Sequence, residues 1–439
     1  MMARDKQANI GFLAIVSIGI GGMVGGGIFA VLGLAVQLAH GGTPVAFLVA
    51  GLVALLTSYS YAKLAVAYPS EGGTVEFINQ AFGGGMLTGT LNVLLWISYI
   101  IMLSLYAYAF GSYGASFFSG AFQPVMKHLM ISGIILLLTV LNVLGSTWVG
   151  EAEEWIVGFK LGILILFIAV GFWGVSKTNL APAQWTPLPN LLAGGMIIFL
   201  AYEGFELIAN SASDVKNPAK TLPRAFYTSV IFVILLYILV SAVTVGHLPV
   251  SKIVAAKDYA LAEAAKPFLG QFGFTLIAIA ALLSTASAIN ATLYGTARVS
   301  YIIAKDGELP ETLERKIWKR PIEGLLITAG LALIVANLFD LTSISLMGSA
   351  GFLLIFATVN LANAKLHTHT KSNSWLSYGG MVACFGALVT LLWQRAITDP
   401  KELIVFGAVI MLAILIEAIY RVATHRAITP KLALFHPEE

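Results

Sequence analysis

Gly19-Ile-Gly-Gly-Met-Val-Gly-Gly-Gly-Ile-Phe29 places six glycines within nine residues, in the middle of an apolar stretch that runs from about residue 10 to 38. Glycine costs a helix interior roughly 1 kcal/mol relative to alanine, so this segment is predicted to unwind between two helical halves. Small residues also let membrane helices pack closely, but that use repeats at every fourth position, not at three in succession as at Gly25, Gly26 and Gly27. The flanking apolar length is not isolated. The chain is 58% hydrophobic and 11% charged, where soluble domains carry about 25% charged residues. Apolar runs recur at Ile131–Leu144, Val157–Val175, Phe226–Val245 and Leu403–Ile419. A helix needs roughly 20 apolar residues to cross a hydrocarbon core of about 30 Å. The chain is therefore an all-α membrane protein that crosses many times.

Twelve spans are expected, at 10–38, 43–68, 86–119, 129–149, 154–174, 190–212, 225–246, 268–304, 322–339, 342–365, 374–396 and 402–422. The third and eighth are long enough to tilt or protrude. Basic residues set the orientation. With the N-terminus in the cytoplasm, inside segments hold 17 lysines and arginines and outside segments 7; Lys160 lies within a span. Both termini are thus predicted cytoplasmic, in a multi-pass protein of the cell membrane. Met1–Asn9 is polar and no A-x-A-like site follows, so the first apolar stretch reads as a membrane segment, not a cleavable signal. The formal charge of +3 is spread over short loops, which is no nucleic-acid signature. The single cysteine, Cys384, falls in an apolar run; it forms no internal disulfide and argues against a disulfide-linked partner subunit.

A second span is irregular. Phe199-Leu-Ala-Tyr-Glu-Gly-Phe-Glu206 carries two carboxylates and a glycine near mid-span. A charge at that depth costs several kcal/mol unless it faces protein or water, so these acids mark a cavity or a structural ion pair. Irregular first and sixth spans fit two five-helix units of opposite orientation, each opening with a discontinuous helix. Unwound backbone is tolerated in a bilayer only where something satisfies its amides and carbonyls. Helix N-termini attract carboxylates and C-terminal carbonyls attract ammonium groups, so a zwitterion matches both broken ends.

Five short segments carry a family resemblance: Val24-Gly-Gly-Gly-Ile-Phe29, Gly204-Phe-Glu206, Pro69-x-x-Gly72-Gly73, Asn217-Pro-x-x-x-x-Pro-Arg-Ala225 and Ala304-Lys-Asp-Gly-Glu-Leu-Pro310. In their order and spacing the chain resembles the amino acid–polyamine–organocation transporter family, which has the LeuT-type fold. Within it, the chain is similar to the proton-coupled, sodium-independent amino acid transporters of broad specificity. The resemblance implies one transporter domain over 1–439. Inverted repeats would occupy 10–174 and 190–365, with two extra helices at 374–422. It also implies a substrate site over Met23, Gly25, Gly26, Gly27, Ile28, Phe199, Leu200, Tyr202, Glu203 and Phe205. The substrate carboxylate would meet amides of Gly26, Gly27 and Ile28. Its ammonium would meet carbonyls of Met23, Leu200 and Glu203. Phe199, Tyr202 and Phe205 form an apolar wall or lid; by residue type alone they serve equally as packing or lipid-facing aromatics.

Lys160, in Trp155-Ile-Val-Gly-Phe-Lys160, lies roughly 8 Å of helix rise inside its span. A lysine there either snorkels to the interface or has a function. The resemblance implies that its ammonium stands where a sodium ion binds in sodium-coupled members, against carbonyls of Gly21 and Val24 and the hydroxyls of Ser284 and Ser287. Loss of its proton would remove that fixed charge and loosen the contacts. Glu206 matches the family's Gly-Phe-Glu and stabilises a gate or takes a proton. Glu203 departs from the family pattern; it selects cationic side chains or pairs with a base. Neutral L-amino acids are the leading substrate class and cationic amino acids or polyamines the second. Proton symport and exchange use the same parts. No cofactor beyond the coupling proton is expected, no metal, and no obligate protein partner.

Competing classes fit less well. A channel calls for a repeated pore motif, and neither that nor a G-x-x-x-x-G-K-[ST] nucleotide loop occurs in the chain. His367-x-His369 lies in a polar loop without partners at metal-ligand spacing, and Glu151, Glu153 and Glu154 read as a solvated run. No catalytic constellation is present, so an enzyme is not expected.

Overall fold

In hydrocarbon every backbone N–H and C=O must be satisfied within the chain, which restricts spanning segments to helices or closed barrels. The computed structural model describes residues 10–144, 148–305, 309 and 322–424, with the backbone alone at 148–154 and 423–424. Among these residues the protein is helical, with two isolated backbone bridges and no strand. The helices are α1 (Phe12–Met23), α2 (Gly27–Ala39), α3 (Thr43–Ala67), α4 (Thr74–Phe82), α5 (Met86–Ala115), α6 (Phe122–Leu144) and α7 (Trp148–Gly171). There follow α8 (Lys177–Leu180), α9 (Leu188–Ile197), α10 (Leu207–Asn210), α11 (Pro218–His247), α12 (Val250–Ala255) and α13 (Ala260–Lys305). The chain closes with α14 (Ile322–Leu338), α15 (Leu341–Lys365), α16 (His367–Thr370), α17 (Ser374–Thr398) and α18 (Pro400–Thr424).

Ten of these segments are long and apolar enough to cross a bilayer, and the bent pair α1–α2 makes eleven. The shorter apolar helix α14 begins where the described residues resume. Most observed limits fall within a few residues of the expected spans. The largest departure is α13, which starts at Ala260 and runs through a non-helical Gly270 at φ 61°, so its straight part begins near the expected 268. Short elements lie between the expected spans: α4, the α8 region, α12, α16, which puts His367 and His369 in a short helix instead of a loop, and a 3₁₀ turn at Lys257–Tyr259 that lies against α2. An added Cβ at Gly33 of α2 would stand 2.2 Å from the Lys257 carbonyl oxygen, so glycine permits that contact.

The first span does break. Val24, Gly25 and Gly26 leave the helical ladder, and α1 and α2 meet at 43°. The glycines also do what the spacing argument set aside. An added Cβ would meet the Gly204 carbonyl oxygen at 2.8 Å from Gly22, the Ala201 Cα at 2.6 Å from Gly27, and the Tyr106 ring at 2.2 Å from Gly26. Unwinding and close packing are thus both served, because the broken part of one span lies directly against that of another.

That second span is irregular in a different way from the one expected. Between α9 and α10, Phe199–Glu206 form a 3₁₀ helix instead of an open loop. With i→i+3 bonds, most of its backbone stays paired, and the segment is overwound, not unwound.

A buried polar cluster ties α17 to the bundle. Asn360 of α15 donates to Thr57 Oγ1 at 3.1 Å and accepts from Ser60 at 2.7 Å, Asn363 donates to Ser377 at 2.7 Å, and Cys384 contacts the Thr57 hydroxyl at 3.2 Å. Asp340 caps α15 by accepting from the Ser343 amide at 3.0 Å. Asp340→Ala is expected to cost about 1 kcal/mol, read as a lower thermal midpoint in detergent with transport retained.

Candidate functional site

The C-terminal end of a half-helix leaves carbonyls without intrahelical donors, and inside a bilayer each must find one. At the break in the first span they do, one after another. Ile20 accepts from the Val24 amide at 2.8 Å and Gly22 from the Gly25 amide at 3.4 Å. Gly21 accepts from Lys160 Nζ at 3.0 Å, Met23 from the Tyr237 hydroxyl at 2.6 Å, and Val24 from Ser284 Oγ at 2.8 Å. Ser284 also bonds the Gly25 carbonyl. Three neighbouring spans, α7, α11 and α13, each send one side chain to this end.

Lys160 is fully buried, so it does not snorkel. Of the partners expected for it, Gly21 is met directly. The Val24 carbonyl accepts from Ser284 Oγ of α13 at 2.8 Å. Ser287, one turn further along α13, is half-buried and is not among the groups that bond the break. On the other side of the break, Gly26 caps α2 without a side-chain acceptor, so amides at the start of α2, Gly27 and Ile28, have no intrahelical partner.

The 3₁₀ segment is stitched similarly. Ser349 of α15 donates to the Ile197 carbonyl at 2.9 Å and accepts from the Leu200 amide at 3.2 Å, closing the step from α9 into 3₁₀ geometry. Tyr237 reaches the Ala201 carbonyl at 3.2 Å as well as Met23, so one hydroxyl bridges both irregular spans. Removing it in Tyr237→Phe leaves two buried carbonyls short of a donor. A stability loss of about 1–3 kcal/mol is expected, measured by thermal unfolding in detergent.

Glu203 and Glu206 are both buried, one turn apart in the 3₁₀ segment. Glu206 accepts from the Tyr61 hydroxyl at 3.1 Å, from Thr74 Oγ1 at 3.2 Å, and from the Tyr99 hydroxyl. No base pairs with either acid among the described residues. Phe199, Tyr202 and Phe205 are fully buried, which excludes the lipid-facing alternative. Phe199 and Phe205 pack on Phe356, Phe205 also on Tyr61, and Tyr202 stacks beside Tyr237 and donates to the Phe47 carbonyl at 2.9 Å.

Thus Gly21, Met23, Val24, Gly25, Gly26, Gly27, Ile28, Leu200, Lys160 and Ser284 come together around the broken first span and the irregular sixth. Residue reading missed Tyr61, Thr74, Tyr99, Tyr106, Tyr237 and Ser349. A tyrosine in mid-run, as at Tyr237, signals only that its buried hydroxyl needs a partner; which partner depends on the span packed opposite. Of the segment 304–310, residues 306–308 and 310 lie outside the described residues, as do the side chains of Glu151, Glu153 and Glu154.

A many-span helical bundle whose first span is broken and whose sixth is overwound at the same place defines the class: a multi-pass membrane transporter, with the irregular backbone gathered inside it. The amino acid permease family model matches residues 10–419, and the chain belongs to that family, one of transporters and not of enzymes. It is 36% identical over 425 residues to an uncharacterised protein of Methanocaldococcus jannaschii, covering 96% of this chain and 97% of that one. It is 31% identical over 421 residues to the Escherichia coli inner membrane transport protein YbaT, covering 95% and 97%. To the branched-chain amino acid permease BcaP of Bacillus subtilis it is 26% identical over 382 residues, covering 82% and 81%. Among solved structures, a mutant manganese transporter of Eremococcus coleocola superposes with a TM-score of 0.63 at 12% identity, over 96% of this chain and 99% of that one; that likeness concerns the fold.

Proposed function

We propose that this chain is a proton-coupled, sodium-independent symporter of neutral L-amino acids, working by alternating access. Twelve spans would form a single domain, 1–439, with inverted repeats over 10–174 and 190–365 and two added helices at 374–422. The cell membrane would hold it with both termini in the cytoplasm. In this scheme the substrate carboxylate meets the amides of Gly26, Gly27 and Ile28, with Gly25 giving the break its room. The ammonium meets the Met23 carbonyl in exchange for the Tyr237 hydroxyl, and the carbonyls of Leu200 and Glu203. Phe199, Tyr202 and Phe205 wall the site.

The observation that carries the coupling step is the Lys160 ammonium, 3.0 Å from the Gly21 carbonyl at the broken end of α1 and fully buried. A fixed cation there holds α1 to α7, and Ser284 holds it to α13; Ser287 would join when the break rearranges. When the ammonium gives up its proton the Gly21 contact weakens, so protonation and the position of α1 are linked. Glu206, held by Tyr61, Thr74 and Tyr99, would anchor the inner end of the sixth span or take a proton in turn.

The test is uptake of labelled alanine, glutamine, arginine and putrescine into proteoliposomes. It is run at two external pH values, with sodium present or replaced, in empty and substrate-loaded vesicles. Sodium-independent uptake into empty vesicles, faster at acid external pH, is the expected result. Uptake confined to loaded vesicles would make the protein an exchanger and overturn symport. A second reading, transport of cationic amino acids or amines, is favoured by one feature: Glu203 is buried without a base beside it. It predicts that arginine or putrescine outcompetes alanine and that Glu203→Gln reverses the order.

A further inference from the structure

Along the surface of the bundle, two helices change character together toward the same end. On α3 the face formed by Leu52, Leu56, Tyr59 and Lys63 recurs at helical spacing. On α11 the matching face reads Ile231, Tyr227, Arg224 and Lys220 in the opposite chain direction. Each wall passes from aliphatic, through tyrosine, to cation. Leu52, Leu56 and Ile231 are 48%, 37% and 46% exposed, on helices that span the bilayer, so lipid covers them.

Two hollows lie on this path. An apolar groove of about 320 Å³ runs between α3, α11 and the start of α17, where Leu376 closes it and both Tyr59 and Tyr227 line it. A smaller pocket of about 140 Å³ lies against α11 beyond Arg224, lined by Lys220, Arg224, Thr221, Asn217 and Phe12. Arg224 and Tyr227 are three residues apart, roughly 4.5 Å of helix rise, so the two hollows adjoin along one helix face. Among the described residues neither Lys220 nor Arg224 makes an ion pair, and both are exposed.

We propose that this groove and pocket together hold one anionic glycerophospholipid, with an acyl chain between α3, α11 and Leu376 and the phosphate on Lys220 and Arg224. The order of residues matches the order of groups in such a lipid: hydrocarbon, interfacial glycerol and ester, then phosphate. Aromatic side chains favour the interfacial level, and paired cations next to spanning helices attract anionic head groups. The Asn217 side chain supplies a hydrogen-bonding group at the pocket rim, while the Thr221 hydroxyl donates to the Lys216 carbonyl at 2.7 Å. A zwitterionic lipid would satisfy the groove but leave two cations facing a head group without net charge. The site lies on the outer surface of α11, whose inner face carries Tyr237, so an occupant would bear on the helix that touches both irregular spans.

The experiment is native mass spectrometry of the full chain, delipidated and titrated with phosphatidylglycerol or phosphatidylcholine. Each basic residue near a membrane surface changes lipid partition roughly fivefold, so Lys220→Gln/Arg224→Gln is expected to weaken phosphatidylglycerol retention about twentyfold. Leu376→Trp, which fills the groove and leaves the cations, is expected to weaken retention of the same lipid while thermal unfolding stays unchanged. Equal retention of both lipids by the wild-type chain would overturn the proposal, as would retention indifferent to both variants. Displacement by soluble glycerol phosphate at equal concentration would assign the pocket to a free anion. A variant-sensitive dimer mass would assign the groove to a second copy. None of these readouts depends on what the protein transports.

Discussion

Lys160→Ala is expected to abolish acid-stimulated uptake in proteoliposomes, leaving uptake no faster at acid than at neutral external pH. The reason is local. The ammonium at 3.0 Å from the Gly21 carbonyl is buried among α1, α7 and α13, and a hydrogen bond to a charged donor contributes about 1.5–3 kcal/mol. Alanine removes the donor, the charge and most of the side-chain volume. Lys160→Met separates these terms, since it fills the space without a charge. If the coupling role holds, both variants lose the response to external pH, while counterflow of substrate across equilibrated vesicles survives better in Lys160→Met. Uptake by Lys160→Met that remains faster at acid pH would remove Lys160 from the coupling step and leave it a structural cation. The sign is fixed by the scheme: inward proton movement accompanies inward substrate, so acid outside accelerates uptake and alkaline outside slows it.

Gly204→Ala is expected to be as damaging, for steric reasons that need no functional assumption. A Cβ at Gly204 would stand 2.2 Å from the carbonyl carbon of Gly22 and 2.4 Å from the amide nitrogen of Met23. Both are backbone atoms at the end of α1, so no rotamer change relieves the overlap. Overpacking a core usually costs about 1–3 kcal/mol, and a clash with the backbone of a broken helix falls at or above the upper end. The protein should emerge from size exclusion aggregated, or fold with the two irregular spans pushed apart and transport lost. Gly330→Ala is the control: nothing lies within 4 Å of its added Cβ. In a helix interior alanine is favoured over glycine by roughly 1 kcal/mol, so that variant should be neutral or slightly more stable. A well-folded, active Gly204→Ala protein would contradict the contact between the spans.

Much of the site was legible because membrane chemistry makes rare residues conspicuous. A lysine, two glutamates and a run of glycines inside apolar stretches are costly; Lys160 reaches the Gly21 carbonyl at the broken end of α1, and Glu203 and Glu206 lie in the 3₁₀ segment packed against that helix. The tyrosines were not legible in the same way. Tyr61, Tyr99, Tyr106 and Tyr237 sit in apolar runs where an aromatic is unremarkable, and their importance depends on which span lies opposite. The glycine cluster was read too narrowly, as unwinding alone, because spacing along one helix says nothing of a partner helix at van der Waals distance.

By itself the sequence determined that the chain crosses a membrane many times, approximately where it crosses, and which two crossings are irregular. Length and hydropathy settle those points, since the bilayer fixes span length and forbids unpaired backbone. Only the tertiary structure decided which face of each span is inside, that the sixth span is overwound and not open, that Tyr237 and Ser349 supply donors at the irregular segments, and that Ser284 bonds the Val24 carbonyl directly. Lipid tails are as apolar as a packed core, so a spanning helix carries little contrast between its buried and lipid-facing sides. Hydrogen-bond partners hundreds of residues apart, such as Ser284 and Val24, are set by packing that no local pattern records.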